Sequence, residues 1–290
     1  MRTSGPDTAA QSMDNKSFAA IAALAKEEAG LILPEGKMTM VQSRLRKRLL
    51  ETGQPTYETY CKFVCSNEGT AERRLMISAL TTNVSHFFRE SHHFDMLRTK
   101  VVPTLLQKAR DGQRIRIWSA GCSSGQEPYS ISMCLHSAAP ELVSRDILIL
   151  GTDIDPAILE KAEAACYSEQ QISGIPEDMR KKYLEHANGG QFRVNADIRR
   201  LVRFRELNLL REWPMKGAFD AIFCRNVVIY FDAATQASLW PRFRQRIANN
   251  GWIFLGHSER ISDSALHLFE PNGMTAYQAA GSGSSAIRKE

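Results

Sequence analysis

The sequence predicts an α/β protein in which an all-α N-terminal domain precedes a doubly wound parallel sheet with a small inserted antiparallel β-subdomain. Three observations predict it. Up to about Gly112 the apolar residues recur at helical spacing, and no segment alternates as a strand does. From Arg114 onward, short β-rich runs alternate with helical segments, the β-α-β-α order of a parallel sheet with crossover helices. The first of these runs ends in a glycine-rich loop, "SAGCSSGQEP" (119–128), and the second in acids, "GTDID" (151–155).

The elements follow in order. Asp14 or Ser17 can cap a helix that runs to Ala29. "KMTMVQSRLRKRLL" (37–50) then places Lys37, Arg44, Lys47 and Arg48 on one helical face, with Met38, Val41, Leu45 and Leu49 on the adjacent one. "PTYETYCKFVCSN" and "TAERRLMISAL" continue at the same spacing, and a helix bent at Pro103 ends at Gly112. The sheet takes strands from "RIRIWSAG", "DILILGTDID", "RLVRFREL", "FDAIFCRN" and "GWIFLGHS", and "GMTAYQAA" supplies a final edge strand. Helices fall on "QEPYSISMCLHSAA", "PAILEKAEAAC" and "AATQASLWPRFRQRIAN", and "NGGQFRVNADIRR" reads as an inserted hairpin. The expected division is a helical domain at 14–88, a linking helix at 89–112 and a sheet domain at 113–280 with its β-subdomain at about 183–204. Residues 1–13 and 281–290 are expected to be disordered tails.

Composition narrows the class. With 43% hydrophobic and 24% charged residues the chain falls among soluble globular proteins, and no apolar run is long enough to span a bilayer. The N-terminus lacks the apolar core of a secretion signal, and the six cysteines are scattered without framework spacing. A cytoplasmic protein with reduced thiols is expected. No metal is expected either: Cys61 and Cys65, one helical turn apart, lack a second ligand pair, and His86, His92 and His93 read as surface or packing residues. The formal net charge of +5 is too mild to argue by itself for nucleic acid.

The stretch Gly121-Cys122-Ser123-Ser124-Gly125 matches the nucleophile elbow of serine hydrolases, G-x-S-x-G. An elbow, however, follows several strands, and an earlier glycine-rich loop supplies its second oxyanion donor. Here the loop follows the first strand and nothing upstream supplies that donor. Such a position is where a doubly wound sheet seats a nucleotide-like ligand, and Asp153 stands where a ribose needs a carboxylate. The loop lacks the third glycine of a dinucleotide site, and Glu127 at the helix start is ill suited to a diphosphate. A cationic cofactor without phosphates, such as S-adenosylmethionine, suits it better.

Five stretches, "ALTTNVSHFFRE" (79–90), "WSAGCSSGQEPYSI" (118–131), "GTDIDPAILEKA" (151–162), "LNLL" (207–210) and "FDAIFCRNVVIYFD" (219–232), with "GHSE" (256–259) and a closing "AY", resemble the CheR chemotaxis receptor methyltransferases. The resemblance implies a Rossmann-like methyltransferase domain and transfer of a methyl group from S-adenosylmethionine to receptor glutamates, forming glutamyl methyl esters. By position it implies that Asn83, Ser85 and Arg89 reach the cofactor, Glu127 faces its methionine moiety and Asp153 its ribose. It further implies that Asn208 and Leu209 surround the adenine and that Asn226 and Val227 line the cofactor beside the reaction. Family members usually carry threonine where Ser85 stands, a change that keeps the hydroxyl and loses a methyl.

Arg89 and Tyr230 are the candidates for orienting the acceptor carboxylate. The basic stripe of Lys37, Arg44, Lys47 and Arg48 is expected to meet the acidic helices of methyl-accepting chemotaxis receptors. A monomer that binds no nucleic acid and inserts in no membrane is expected. Two other classes share the sheet: a nucleic-acid methyltransferase, against which Arg225-Asn226-Val227 stands where an N-P-P-Y-type motif belongs, and a non-catalytic module that senses the cofactor or a nucleotide.

Overall fold

A computed structural model describes residues 12–281, which divide into two compact units between Thr82 and Asn83. The first unit is all helix: α1 (Asn15–Ala29), α2 (Met38–Thr52), α3 (Tyr57–Cys65) and α4 (Thr70–Leu80). Local chemistry sets each end. Asp14 accepts from the Ser17 amide to start α1, a Thr56–Thr59 capping box starts α3, and glycines in the left-handed region at Gly30 and Gly53 stop α1 and α2. Phe18, Ile21, Val41, Leu45, Tyr60, Val64, Met76 and Ile77 form its buried interior. Order begins before the expected tail boundary, since Met13 is buried and its amide donates to Gln42 Oε1. The rest of the two expected tails falls outside the described residues, apart from Ser12 and Gly281.

The second unit opens with α5 (Ser91–Met96), a π-helical turn at Leu97–Val101 and α6 (Val102–Arg110). In place of the bend expected at Pro103, the helix is interrupted by this π-helical turn: Pro103 cannot donate an amide, and the chain widens by one turn before it. Then come β1 (Ile115–Ala120), α7 (Gln126–Ala138), β2 (Ile147–Asp153), α8 (Pro156–Ala164), β3 (Cys166–Tyr167), α9 (Glu177–Tyr183), β4 (Leu184–Ala187), β5 (Gln191–Val194) and α10 (Ala196–Arg199). The chain continues through β6 (Val202–Glu206), β7 (Phe219–Cys224), α11 (Ala233–Arg246), β8 (Ile247–Leu255), β9 (Phe269–Pro271) and β10 (Ala276–Ala279). Seven strands form one sheet in the order β6-β2-β1-β7-β8-β10-β9, parallel from β6 to β8 and antiparallel beyond. Its central strands are buried on both faces, as the continuous apolar runs of β1 and β7 require.

The structure redraws three expected boundaries. The helical domain ends at Thr82 rather than at 88, because the Asn83 side chain bonds Asp155 and the Phe88 amide bonds Ser130, both within the sheet unit. The inserted sheet has three antiparallel strands in the order β3-β5-β4, so it starts at Cys166 and ends at Val194. Residues 202–206 belong to the main sheet as its edge strand β6, pairing with β2. At the other edge β9, too short to carry a pattern, lies outside β10.

Candidate functional site

The site is built on the loops that leave the C-terminal ends of β1, β2 and β7, three strands of which β1 is the centre. After β1 the chain turns sharply: the Gly121 and Cys122 amides both donate to the Thr152 carbonyl, at 2.7 and 2.8 Å. Gly121 has φ +77, and a β-carbon there would stand 2.3 Å from Val227 Cγ2. Gly125, at φ +91, would place one 3.0 Å from Ala162 Cβ. The two glycines are therefore needed both for backbone conformation and for close approach. Ser123 shares the positive φ of an elbow nucleophile, but its hydroxyl donates to the Asn83 carbonyl at 2.8 Å and its amide to Asp153 Oδ2 at 2.8 Å. Its proton is thus committed to a carbonyl, not to a histidine. Burial pushes the Cys122 thiol well above its ordinary range, which rules it out as a resting thiolate.

At the end of β2, Asp153 is buried and also accepts from the Asp155 amide. Burial raises its carboxyl to about 6, against the pull of those backbone donors. Asp155 caps α8 through Oδ1 and takes the Asn83 side-chain amide on Oδ2 at 2.8 Å. Asn83, Ser123, Asp153 and Asp155 are therefore brought together. The groups that donate to the two aspartates here are neutral amides, from the backbone and from Asn83.

Glu127, in the first turn of α7, is enclosed. Ser119 Oγ donates to its Oε1 at 2.6 Å and Arg225 Nη1 to its Oε2 at 3.1 Å. Burial raises its carboxyl, and Arg225 and Ser119 offset this only in part. Arg225 is 2% exposed in its side chain, lies over the Phe94 ring, stands 3.4 Å from Glu90 Oε2 and donates to the Arg89 carbonyl. Burial pushes Glu90 up, but Arg225 and the His257 amide outweigh it and hold the carboxyl below its usual range. One guanidinium thus ties the loop after β7 to α7 and to the 89–90 segment.

Pattern reasoning passed over Arg225 and Glu90, although both sit inside the family-like stretches. The available signal was a charged residue ending a six-residue buried strand, where water cannot compensate it. Glu90, His92 and His93 also bring ligand-type atoms within 4.8 Å of one another. Arg225 already supplies positive charge at the same Glu90 oxygen. His93 Nε2 lies 3.1 Å from the Met274 carbonyl, which fixes its proton there, and burial lowers its pKa to about 3.

The remaining expected residues are dispersed around these loops. Arg89 is half-buried, and its Nη1 donates to the Val84 carbonyl at 3.3 Å; Ser85 is half-buried nearby in sequence. Asn208 turns the chain after β6 by accepting from the Leu210 amide, and Leu209 is buried with its carbonyl taken by Trp213 and Arg242. Asn226 is left-handed at φ +59, Val227 presses on Gly121, and Tyr230 is half-buried.

In the helical unit the basic stripe divides. Arg44 donates to the Leu80 and Thr81 carbonyls and to Thr82 Oγ1, capping the C-terminus of α4. Arg48 is paired with Glu72 and Glu51. Both were expected to face a partner and instead face the unit's own α4, because a helical wheel shows which residues share a face but not what packs on it. Lys37 and Lys47 remain exposed, joined by Arg46, which the stripe omitted.

The donor set fits S-adenosylmethionine. Its hydroxyls and ammonium are donors, and the loops after β1 and β2 offer carboxylates beside a backbone cradle with no room for side chains at Gly121. The profile of the CheR methyltransferase SAM binding domain matches residues 83–278, and that of the CheR methyltransferase all-alpha domain matches residues 16–81. A probable chemotaxis protein methyltransferase of Rhizobium etli is 47% identical over 254 residues, 87% of this chain and 95% of that protein. The chemotaxis protein methyltransferase of Escherichia coli K12 is 36% identical over 267 residues, 90% of this chain and 89% of its own. Taken with the glycine cradle and its carboxylates, these matches place the chain in the CheR family of S-adenosylmethionine-dependent methyltransferases.

Proposed function

We propose that the protein methylates glutamate side chains on the cytoplasmic helices of chemotaxis receptors, producing glutamyl methyl esters. The observation that carries this reading is that the two carboxylates beside the glycine cradle, Glu127 and Asp153, have both oxygens committed to partners. Glu127 is held by Arg225 and Ser119, Asp153 by amides, and His93 by the Met274 carbonyl. A glutamate with pKa near 4.3 has no proton to give at neutral pH, so the reaction asks nothing of the His93 Nδ1 that is left without a hydrogen-bond partner.

The sulfonium of the bound cofactor supplies a methyl group activated for in-line displacement. The chain's own residues bind and align. Glu127 faces the ammonium of the methionine moiety, Asp153 the ribose hydroxyls, and Asn208 and Leu209 the adenine. Asn83 and Ser85 approach from the segment that precedes α5, and Asn226 and Val227 line the cofactor beside the reaction. Arg89 and Tyr230 orient the acceptor carboxylate, and exchange of its water shell for fixed groups supplies the rate. In the helical unit Lys37, Arg46 and Lys47 meet the acidic receptor helix, with Arg44 and Arg48 holding α2 to α4 beneath them. Among the described residues no helix is long and apolar enough to cross a membrane. The proposed acceptor, the cytoplasmic part of a receptor, would have the protein act in the cytoplasm, and we propose that it does so as a monomer.

Incubation with methyl-labelled cofactor and receptor-containing membranes tests the reaction. The expected label is on receptor protein and released as methanol by mild alkali. Alkali-stable label, or label in RNA, overturns the ester reading.

A further inference from the structure

Glu259 closes the "GHSE" stretch. Its side chain lies inside the sheet unit, 2% exposed, and receives four backbone amides. Oε1 accepts from Val227 at 2.9 Å and Ile229 at 3.1 Å; Oε2 accepts from Asn226 at 2.8 Å and Gly256 at 2.6 Å. Three of these donors belong to the loop that follows β7, the loop that carries Asn226, Val227 and Tyr230.

The turn does not need this carboxylate in order to close. The Tyr230 amide already bonds the Val227 carbonyl and the Phe231 amide that of Val228, while Gln236 Nε2 from α11 holds the Val228 and Phe231 carbonyls. What the carboxylate sets is the direction of the first half of the loop. Its amides turn inward on one anion, which leaves Ile229 exposed and Tyr230 half-exposed, sets Val227 against Gly121 and lays the Asn226 side chain beside Gly256. Asn226 is held at φ +59, a conformation that costs a non-glycine residue energy and persists where surrounding bonds enforce it. Gly256 completes the device, since a β-carbon there would stand 2.4 Å from Asn226 Nδ2 and 2.8 Å from Glu259 Oε2.

We propose that Glu259 is a positioning residue for methyl transfer, its carboxylate aiming the 226–230 loop so that Val227 is held against the glycine cradle and Tyr230 is presented to the acceptor. The inference rests on the role proposed for that loop in methyl transfer. Charge matters as well as size. A glutamine has one acceptor oxygen, and its amide group faces two of the four N–H donors, leaving them unpaired.

The test compares Glu259→Gln and Glu259→Asp with the parent by amide hydrogen exchange, melting, affinity for S-adenosylhomocysteine, and steady-state methyl transfer. In Glu259→Gln, amides 226–229 are expected to exchange at least about 100-fold faster, with β7 and β8 still protected. kcat is expected to fall about 100-fold, as a misplacement on the order of 1 Å does, with KM for the cofactor changed less than about fivefold. Glu259→Asp, which keeps the charge, is expected to recover much of both losses.

Unchanged exchange or parental kcat in folded Glu259→Gln overturns the proposal, as do equal losses in the two variants. If Glu259→Gln does not fold, Glu259→Asp decides: intermediate exchange and kcat support the role, and parental values overturn it. Should the parent itself methylate no receptor, the substrate reading fails, while exchange and S-adenosylhomocysteine affinity still judge Glu259.

Discussion

Each unit sets an arginine between two carboxylates, and the two arrangements do different work. Arg48 joins Glu72 and Glu51, with the Tyr60 hydroxyl also donating to Glu72 at 2.8 Å; every partner lies on a helix of the same small unit, and the effect is to fasten α2 to α4. Arg225 joins Glu90 and Glu127, which come from different segments of the sheet unit, Glu127 directly following the glycine cradle. Exposure also differs. The Glu51 side chain is 43% exposed, whereas those of Glu90 and Glu127 are 11% and 12% exposed. Glu51 is thus screened by water, whereas Glu72, 6% exposed in its side chain, Glu90 and Glu127 are not. The same residue type in the same company is therefore a clamp in one place and part of a binding site's electrostatics in the other.

Replacing each arginine by methionine separates the two. Arg225→Met leaves two enclosed carboxylates without their cation, a change that costs about 3–5 kcal/mol in comparable buried pairs. It is expected to lower the melting temperature sharply and to abolish measurable S-adenosylhomocysteine binding by calorimetry. Arg48→Met strands one enclosed carboxylate, Glu72, in place of two and is expected to cost less, and to leave that affinity unchanged in folded protein. Loss of cofactor affinity in Arg48→Met, or its retention in Arg225→Met, would break the distinction.

The sequence made most of the sheet legible, because a strand buried on both faces must be a continuous apolar run and a crossover helix must follow it. β1, α7, β2, α8 and β7 all show this. It did not show β9, three residues long, or that Cys166–Tyr167 joins the inserted sheet as a third strand, since pairing partners are not local properties. The glycine cradle was readable because close backbone approach forces a residue type at a fixed place, as at Gly121. The site was not readable where a charge meets its partner across the fold. Arg225, Glu90 and Glu259 are such cases, and so are Arg44 and Arg48, whose inward bonds reach residues 24 to 38 positions away.

Asp153 gives the comparison a pH axis. Its folded carboxyl, at about 6, lies above the ordinary 3.8, so the folded state without cofactor holds a proton that the unfolded chain has lost. The group's contribution to stability is present below the unfolded value and declines as pH rises through the folded one. Cofactor binding runs the other way, since ribose hydroxyls donate to the ionised form. S-adenosylhomocysteine affinity is expected to weaken as pH falls through about 6, by at most about tenfold per unit for one proton, and Asp153→Asn to bind weakly with a flat profile. A parental profile that stays level from pH 8 to 5 would remove Asp153 from the ribose.

The smallest effect is expected where the stripe is still exposed. Arg46 and Lys47 extend from α2 into solvent, and Lys47 has only Glu51 at 3.5 Å as a partner, with its own side chain 82% exposed. Reversing both to glutamate removes no buried bond, so stability should change within about 0.5 kcal/mol. Encounter with an acidic helix should slow several-fold at low salt, and the difference should shrink as ionic strength rises and the Debye length falls below about 10 Å. Initial rates of receptor methylation across a salt series check this, with S-adenosylhomocysteine affinity as the control. The same reversal at Arg44 and Arg48 would confuse docking with unfolding, because those guanidiniums hold α4. A salt-independent loss in Arg46→Glu/Lys47→Glu, or none, would show that the receptor meets some other face of the protein.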